Sequence, residues 1–162
     1  MQTGNERFER IAPMIGNTPM LEIGYTYKGQ PGRVFAKAEY YNLTGSIKDR
    51  VAYFILQKAY ETGTIRPDDT IVEATSGNTG IAFSALGRYL GHSVVIYMPD
   101  WMSMERIALM ESFGAEVRLV SREEGGFLGS IAKTEELAAQ GGVFLPGQFS
   151  NMDNVETHMQ TT

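Results

Sequence analysis

From residue 47 the apolar positions Val51, Phe54, Ile55 and Ala59 repeat at helical spacing, with Gln57 and Lys58 off that face, which predicts an amphipathic helix ending near Gly63. Downstream, extended and helical patterns alternate. Residues 70–74 form a compact apolar run suited to a strand, and residues 79–90 are apolar nearly all round before Gly91, as expected of two buried elements. Residues 93–98 read as the next strand, 104–113 as a helix stopped by Gly114, and 115–120 as a further strand. After a loop at Glu124-Gly125-Gly126, residues 127–140 read as a helix rich in Ala, Leu and Glu, 143–145 as a short strand and 151–160 as a closing helix. Strands separated by helices of this length predict βαβ units, hence an α/β fold with a parallel twisted sheet covered by helices on both faces.

The residues before this alternation carry another pattern. Residues 1–10 are a polar leader; Gly16-Asn17 and Thr18-Pro19 punctuate a tight turn that feeds a short extended piece. Residues 29–32 read as a second turn, and 33–39 as an extended run in which Val34 and Phe35 begin an apolar segment. The sequence stops at Thr162 after a predicted helix, with no strand to complete the last βαβ unit, so the expectation is a fragment or a shortened product.

Composition narrows the classes. A length of 162 residues suits one domain, and 43% apolar with 20% charged residues suits a globular chain rather than a disordered one. Fourteen basic against nineteen acidic residues give a net charge of −5, so nucleic acid is not an expected partner. The absence of cysteine removes disulfides and thiolate metal sites, and neither His92 nor His158 has a second ligand at metal spacing, so no metal site is expected. No secretory h-region and no apolar run long enough for a bilayer are visible, which makes a cytoplasmic setting without membrane contact the expectation.

In a parallel α/β sheet ligands bind beyond the carboxyl ends of the strands, and three loops here have that position. The first ends in Thr44-Gly45-Ser46-Ile47-Lys48-Asp49-Arg50, where Ser46 and Asp49 fit a capping box with Ser46 as N-cap and leave Lys48 at N2. An ammonium in a first turn is disfavoured by roughly 0.3 to 1 kcal/mol. The neutral amine is the form that attacks carbonyls and makes Schiff bases. The plain alternative is a solvated surface lysine. The second loop, Thr75-Ser76-Gly77-Asn78-Thr79-Gly80, follows a strand and opens a helix, so its backbone N–H groups can close on an anion. It is neither G-x-G-x-x-G nor a P-loop, and its plain alternative is a cap and turn. The third is Gly147-Gln148-Phe149-Ser150-Asn151. The methionines, among them Met98 and Met110, read as adaptable packing, and Glu123-Glu124 as a solvated turn.

Ile15-Gly16-Asn17-Thr18-Pro19, Lys37-Ala38-Glu39, the Lys48 segment, Thr75 to Ile81 and Gly147-Gln148-Phe149 occur in the order seen in cysteine synthase, O-acetylserine sulfhydrylase. The chain thus resembles the tryptophan-synthase-β group of pyridoxal-phosphate enzymes, fold type II, from about Ile11 to Thr162. The resemblance implies that Lys48 joins pyridoxal 5′-phosphate covalently and later shuttles the Cα proton, and that Asn78 hydrogen-bonds the cofactor's 3′-oxygen. It implies that Thr75, Ser76, Thr79 and the backbone of Gly77 hold the amino-acid carboxylate, with Gln148 closing on it. The implied reaction replaces the acetoxy group of O-acetyl-L-serine by sulfide, in a homodimer. Residues 1–14 are then a leader, 15–40 and 149–162 parts of a truncated second domain, and 41–148 the cofactor- and substrate-binding domain. Two departures stand out: Leu43 takes a place the family usually gives to proline, and the family's phosphate-binding loop lies beyond the position matching Thr162. The isolated 162 residues are therefore not expected to turn over without the missing half. Cystathionine or lanthionine synthesis, cysteine desulfhydration and a non-catalytic assembly role are the alternatives.

Overall fold

The computed structural model describes residues 4–162. The chain opens with helix α1 (Gly4–Ile11) and a 3-10 turn, then forms strands β1 (Met20–Tyr27) and β2 (Gln30–Lys37). After a second 3-10 turn the elements alternate: α2 (Lys48–Thr62), β3 (Thr70–Ala74), α3 (Asn78–Leu90), β4 (Val94–Pro99), α4 (Met104–Ser112), β5 (Glu116–Val120), α5 (Gly126–Ala138), β6 (Val143–Phe144) and α6 (Asp153–Thr161).

Strands β3 to β6 form one parallel sheet in the order β5-β4-β3-β6, so the α/β architecture read from the sequence is the observed one. Alternation along the strands sends successive side chains to opposite faces. Ile71, Val94, Ile96 and Met98 join the core under α2, α3 and α4, whereas Val72, Val95, Tyr97 and Val120 form a second cluster with Leu137 of α5. The chain steps outward from β3 to β4 to β5 beneath one layer of helices, then crosses by α5 on the other face to place β6 on the far side of β3. The direction of winding reverses between β3 and β6, and a crevice opens at such a switch point.

Helix α2 buries Val51, Ala52, Ile55, Leu56 and Ala59, so its core stripe is turned slightly from the predicted one and Phe54 is only half-buried. Helix α3 lies close to the sheet because Gly80 and Gly87 have no side chain there. A Cβ on Gly87 would stand 2.7 Å from Val94 Cγ2 and 2.9 Å from Ile71 Cδ1, and one on Gly80 would stand 2.7 Å from Thr75 Cγ2. The polar N-terminal stretch also contributes to the core, since Phe8 and Ile11 of α1 are buried and Phe8 meets Tyr53 and Tyr60 edge to face. Between these parts, His92 is buried with Nε2 2.6 Å from the Tyr60 hydroxyl and Nδ1 2.9 Å from the Asp69 carbonyl, a packing role.

The upstream segment is an antiparallel hairpin, with Met20 paired to Lys37 and Tyr27 to Gln30. The predicted turn at 29–32 is shorter than expected. Lys28 and Gly29 both have positive φ, 49° and 77°, which suits a two-residue hairpin turn, and residues 30–32 already belong to β2. Leu21, Ile23, Tyr25 and Tyr27 share one face with Val34, and this apolar face is exposed, Ile23 by 46%. Among the described residues no helix is long and apolar enough to cross a membrane.

Candidate active site

Lys48 is the first residue of α2, with Ile47 in the N-cap position, so the helix begins one residue later than the predicted capping box. The reciprocal contacts are nonetheless present: the Lys48 N–H donates to Ser46 Oγ at 3.1 Å and the Ser46 N–H to Asp49 Oδ2 at 3.4 Å. The buried Asp49 carboxylate also accepts the Thr44 N–H at 2.8 Å and the Thr44 hydroxyl at 2.5 Å. Burial pushes the Asp49 pKa up, and the bonds from Thr44 and Ser46 pull it back. The turn before Lys48 is thus folded around a carboxylate. One residue further on, Arg50 is buried and donates from Nε and Nη2 to both oxygens of Glu39, at 2.7 and 2.8 Å. Thr18 and Asn42 complete the Glu39 contacts, and Arg50 Nη1 donates to the Thr161 carbonyl, so the base of the hairpin, α2 and α6 are tied together beside Lys48. The Arg50 guanidinium holds the Glu39 pKa down to about 2.

The Lys48 side chain is half-buried and forms no ion pair among the described residues. His158 of α6 has its pKa lowered first by burial and then by the positive charges of Lys48 and Arg50, which brings a histidine read as structural or solvated into the field of the lysine.

The second loop ends β3 and starts α3. Gly77 takes the N-cap position without a side-chain cap, at φ −170° and ψ −128°, and Asn78, exposed, is the first helical residue. The first N–H groups of a helix have no partner within it, so an uncapped start leaves them directed outward as anion donors. Thr75 and Thr79 are buried and engaged. Thr75 Oγ1 accepts the Gly77 N–H at 3.3 Å, and the Thr79 hydroxyl donates to Gln148 Oε1 at 2.7 Å. Ser76 is half-buried, and Arg106 of α4 donates to its carbonyl at 3.1 Å while packing on Gly77. Gln148, in the third loop, also donates from Nε2 to the Ala74 carbonyl at 3.0 Å.

Of the predicted residues, Thr75, Ser76, Gly77, Asn78, Thr79 and Gln148 therefore meet at the switch point between β3 and β6. Lys48 stands apart from them at the start of α2, which packs beside α3 on the same face of the sheet. Helix α3 follows β3 and runs back antiparallel to it, and α2 leads into β3 from the same face, so both helix starts lie toward the carboxyl edge of the sheet. Two residues were not singled out in the sequence. Arg106 left no signal there. Glu73 did, as an acidic residue inside the strand Thr70–Ala74. It is 2% exposed; Oε1 accepts the Ala74 N–H at 2.9 Å and Oε2 the Gln148 N–H at 3.2 Å. Burial pushes its pKa up to about 7 against the backbone bonds from Gln148, Ala74 and Gly147.

A profile described as pyridoxal-phosphate dependent enzyme matches residues 11–162. A cysteine synthase of Staphylococcus aureus is 41% identical over 154 residues, 95% of this chain and 49% of that protein. Among solved structures, a hydrogen sulfide-producing enzyme from Fusobacterium nucleatum is 57% identical with a TM-score of 0.94, over 97% of this chain and 47% of that one. A cysteine synthase from Entamoeba histolytica is 38% identical with a TM-score of 0.81, over 91% of this chain and 45% of that one. The chain spans about half the length of the known relatives it matches. A lysine amine with no ion pair among the described residues, an amide-bearing helix start and uncapped N–H groups at one sheet edge suit a cofactor that offers an aldehyde and a ring hydroxyl, and the chain belongs to the family of pyridoxal-phosphate dependent enzymes.

Proposed function

We propose that this chain carries the lysine and the amino-acid carboxylate site of a cysteine synthase-like enzyme, which replaces the acetoxy group of O-acetyl-L-serine by sulfide to give L-cysteine. The observation that supports it most is that Lys48 begins α2 and the uncapped residues begin α3, two helices packed side by side on the same face of one sheet. Pyridoxal phosphate, when bound, supplies a carbonyl carbon for an amine and a ring that draws electrons away from the substrate Cα. Lys48 holds the cofactor through Nζ and moves the Cα proton on the same nitrogen. Asn78 orients the ring through its side-chain amide. The substrate carboxylate is held by the backbone N–H groups from Gly77 to Thr79 and by the hydroxyls of Ser76 and Thr75, while the Thr79 hydroxyl, whose one proton goes to Gln148 Oε1, orients Gln148. Because the Thr79 hydroxyl and the Gln148 amide already hold each other, Gln148 meets the carboxylate with its remaining N–H. The working enzyme is a homodimer, a reading supported by the exposed apolar face of the hairpin; its setting is proposed to be the cytoplasm.

Borohydride reduction in the presence of pyridoxal phosphate, followed by peptide mapping, tests the assignment: an adduct on Lys48 is expected, and labelling elsewhere with Lys48 unmodified ends it. The 57% identity to the hydrogen sulfide-producing enzyme favours a second reading, in which two cysteines condense to lanthionine and release sulfide. Supplying O-acetylserine with sulfide, or cysteine alone, separates them by whether sulfide is consumed or released.

A further inference from the structure

The Glu73 carboxylate lies where β3 and β6 part company. The ladder pairs Ile71 with Phe144, and β6 ends there, so the next residues of the two strands no longer exchange backbone bonds in register. A buried N–H left without its ladder partner costs about 1–3 kcal/mol unless another acceptor is found. The Glu73 side chain is that acceptor: it takes the Ala74 N–H on one oxygen and the Gln148 N–H on the other, and the Gly147 N–H also bonds to it. These are the two loops that carry Thr75 to Thr79 and Gln148.

We propose that Glu73 is the positioning residue for Gln148, fixing the third loop against the end of β3 so that the Gln148 amide stands beside Thr79 over the amino-acid carboxylate; the last clause rests on the function proposed above. An apolar residue at 73 would fill the same space and leave the loop without its clasp. Accepting the Ala74 and Gln148 N–H groups together, one on each oxygen, requires the carboxylate form. Protonation turns one oxygen into a donor, and the contacts made by both oxygens are to N–H donors, so the clasp is present above about pH 7 and weakens as the pH falls through it. The titratable side chain facing this place from α5 is Glu135, which lines the same crevice of about 60 Å3 with Ile131 and Thr134. On the other side stand Gly147, Phe149 and Ser150 of the third loop, none of them titratable.

The test is made on the full chain by backbone NMR and ligand titration. In the unaltered protein the Gln148 amide proton is expected to titrate with a midpoint near 7. In Glu73→Gln that titration disappears, Gln148 amide exchange rises, and the affinity for O-acetylserine falls about tenfold, which corresponds to about 1.4 kcal/mol. Borohydride labelling of Lys48 stays as it was. Glu73→Asp, which keeps the charge one methylene shorter, restores the titration in part. A Gln148 amide that does not respond to pH in the unaltered protein overturns the proposal without any variant being folded. A fall in Lys48 labelling parallel to the fall in affinity also overturns it, because a general loss of structure would do the same. If the amide responds as expected but amino-acid affinity is unchanged, the clasp stands and the carboxylate role of Gln148 falls instead.

Discussion

The Thr79 hydroxyl donates to Gln148 Oε1 at 2.7 Å across 69 positions of sequence, and through this bond the loop after β3 is joined to the loop after β6. Both side chains are read as contacts of the substrate carboxylate, and the structure shows them holding each other. The site is therefore preorganised by its own side chains, with less freedom to lose when a ligand arrives.

Thr79→Val keeps the shape of the side chain and removes the donor. Gln148 Oε1 then loses its partner, and because Gln148 is half-buried the expected loss of stability is that of one ordinary hydrogen bond, about 0.5–1.5 kcal/mol. Urea unfolding gives that figure, and amide exchange at Gln148 shows whether the loop has loosened. Equal stability and unchanged exchange would mean that the bond contributes nothing to the order of the loop.

Gly87→Ala places a methyl against Val94 and Ile71, where it has no room. Overpacking of this kind costs about 1–3 kcal/mol. The better helix propensity of alanine returns up to about 1 kcal/mol. A net loss is expected in thermal unfolding. Gly24→Ala is the control, since a Cβ on Gly24 meets nothing within 4 Å.

The Arg50 and Glu39 pair predicts an acid transition. The Glu39 pKa is lowered to about 2 from an ordinary value of 4.5, so the pair contributes its full stability above about pH 4.5 and loses it as the pH falls toward 2. Urea midpoints measured between pH 6 and 2 are expected to fall over that window, and to fall less in Glu39→Gln. Arg50→Met, which leaves the Glu39 carboxylate unpaired, is expected to cost about 3–5 kcal/mol at pH 7.

The hairpin shows an apolar face built from Leu21, Ile23, Tyr25, Tyr27 and Val34, all exposed. A contiguous patch of this kind binds hydrophobic dyes. Replacing Ile23 and Val34 together by Thr is expected to lower dye fluorescence while the unfolding free energy stays within about 0.5 kcal/mol, since neither side chain belongs to the core. Unchanged fluorescence would move the dye site to another surface.

Much of the fold was legible before the structure. Residues 70–74 and 79–90 carry their burial as local periodicity, and a helix or strand forms from neighbours in the chain, so β3 and α3 lie within a residue of their expected places. The start of α2 was legible for the same reason, because Ser46 and Asp49 act on backbone groups two or three residues away. The hairpin was less so: its strands have an apolar and a polar face that no core selects, and residues 30–32 look like a turn although Pro31 and Gly32 pair with Thr26 and Tyr25.

The sequence by itself determined which segments become strands and helices, and which residues wait at their ends, because both follow from periodicity and from short-range bonds. Only the tertiary structure decided that β6 lies beside β3, and hence that Gln148 meets Thr79, that Glu73 clasps the departing strand, and that Arg50 reaches Thr161 of the helix after β6. Those pairings depend on strand order and on the face by which α5 crosses the sheet. No stretch of chain short enough to carry a pattern contains both partners.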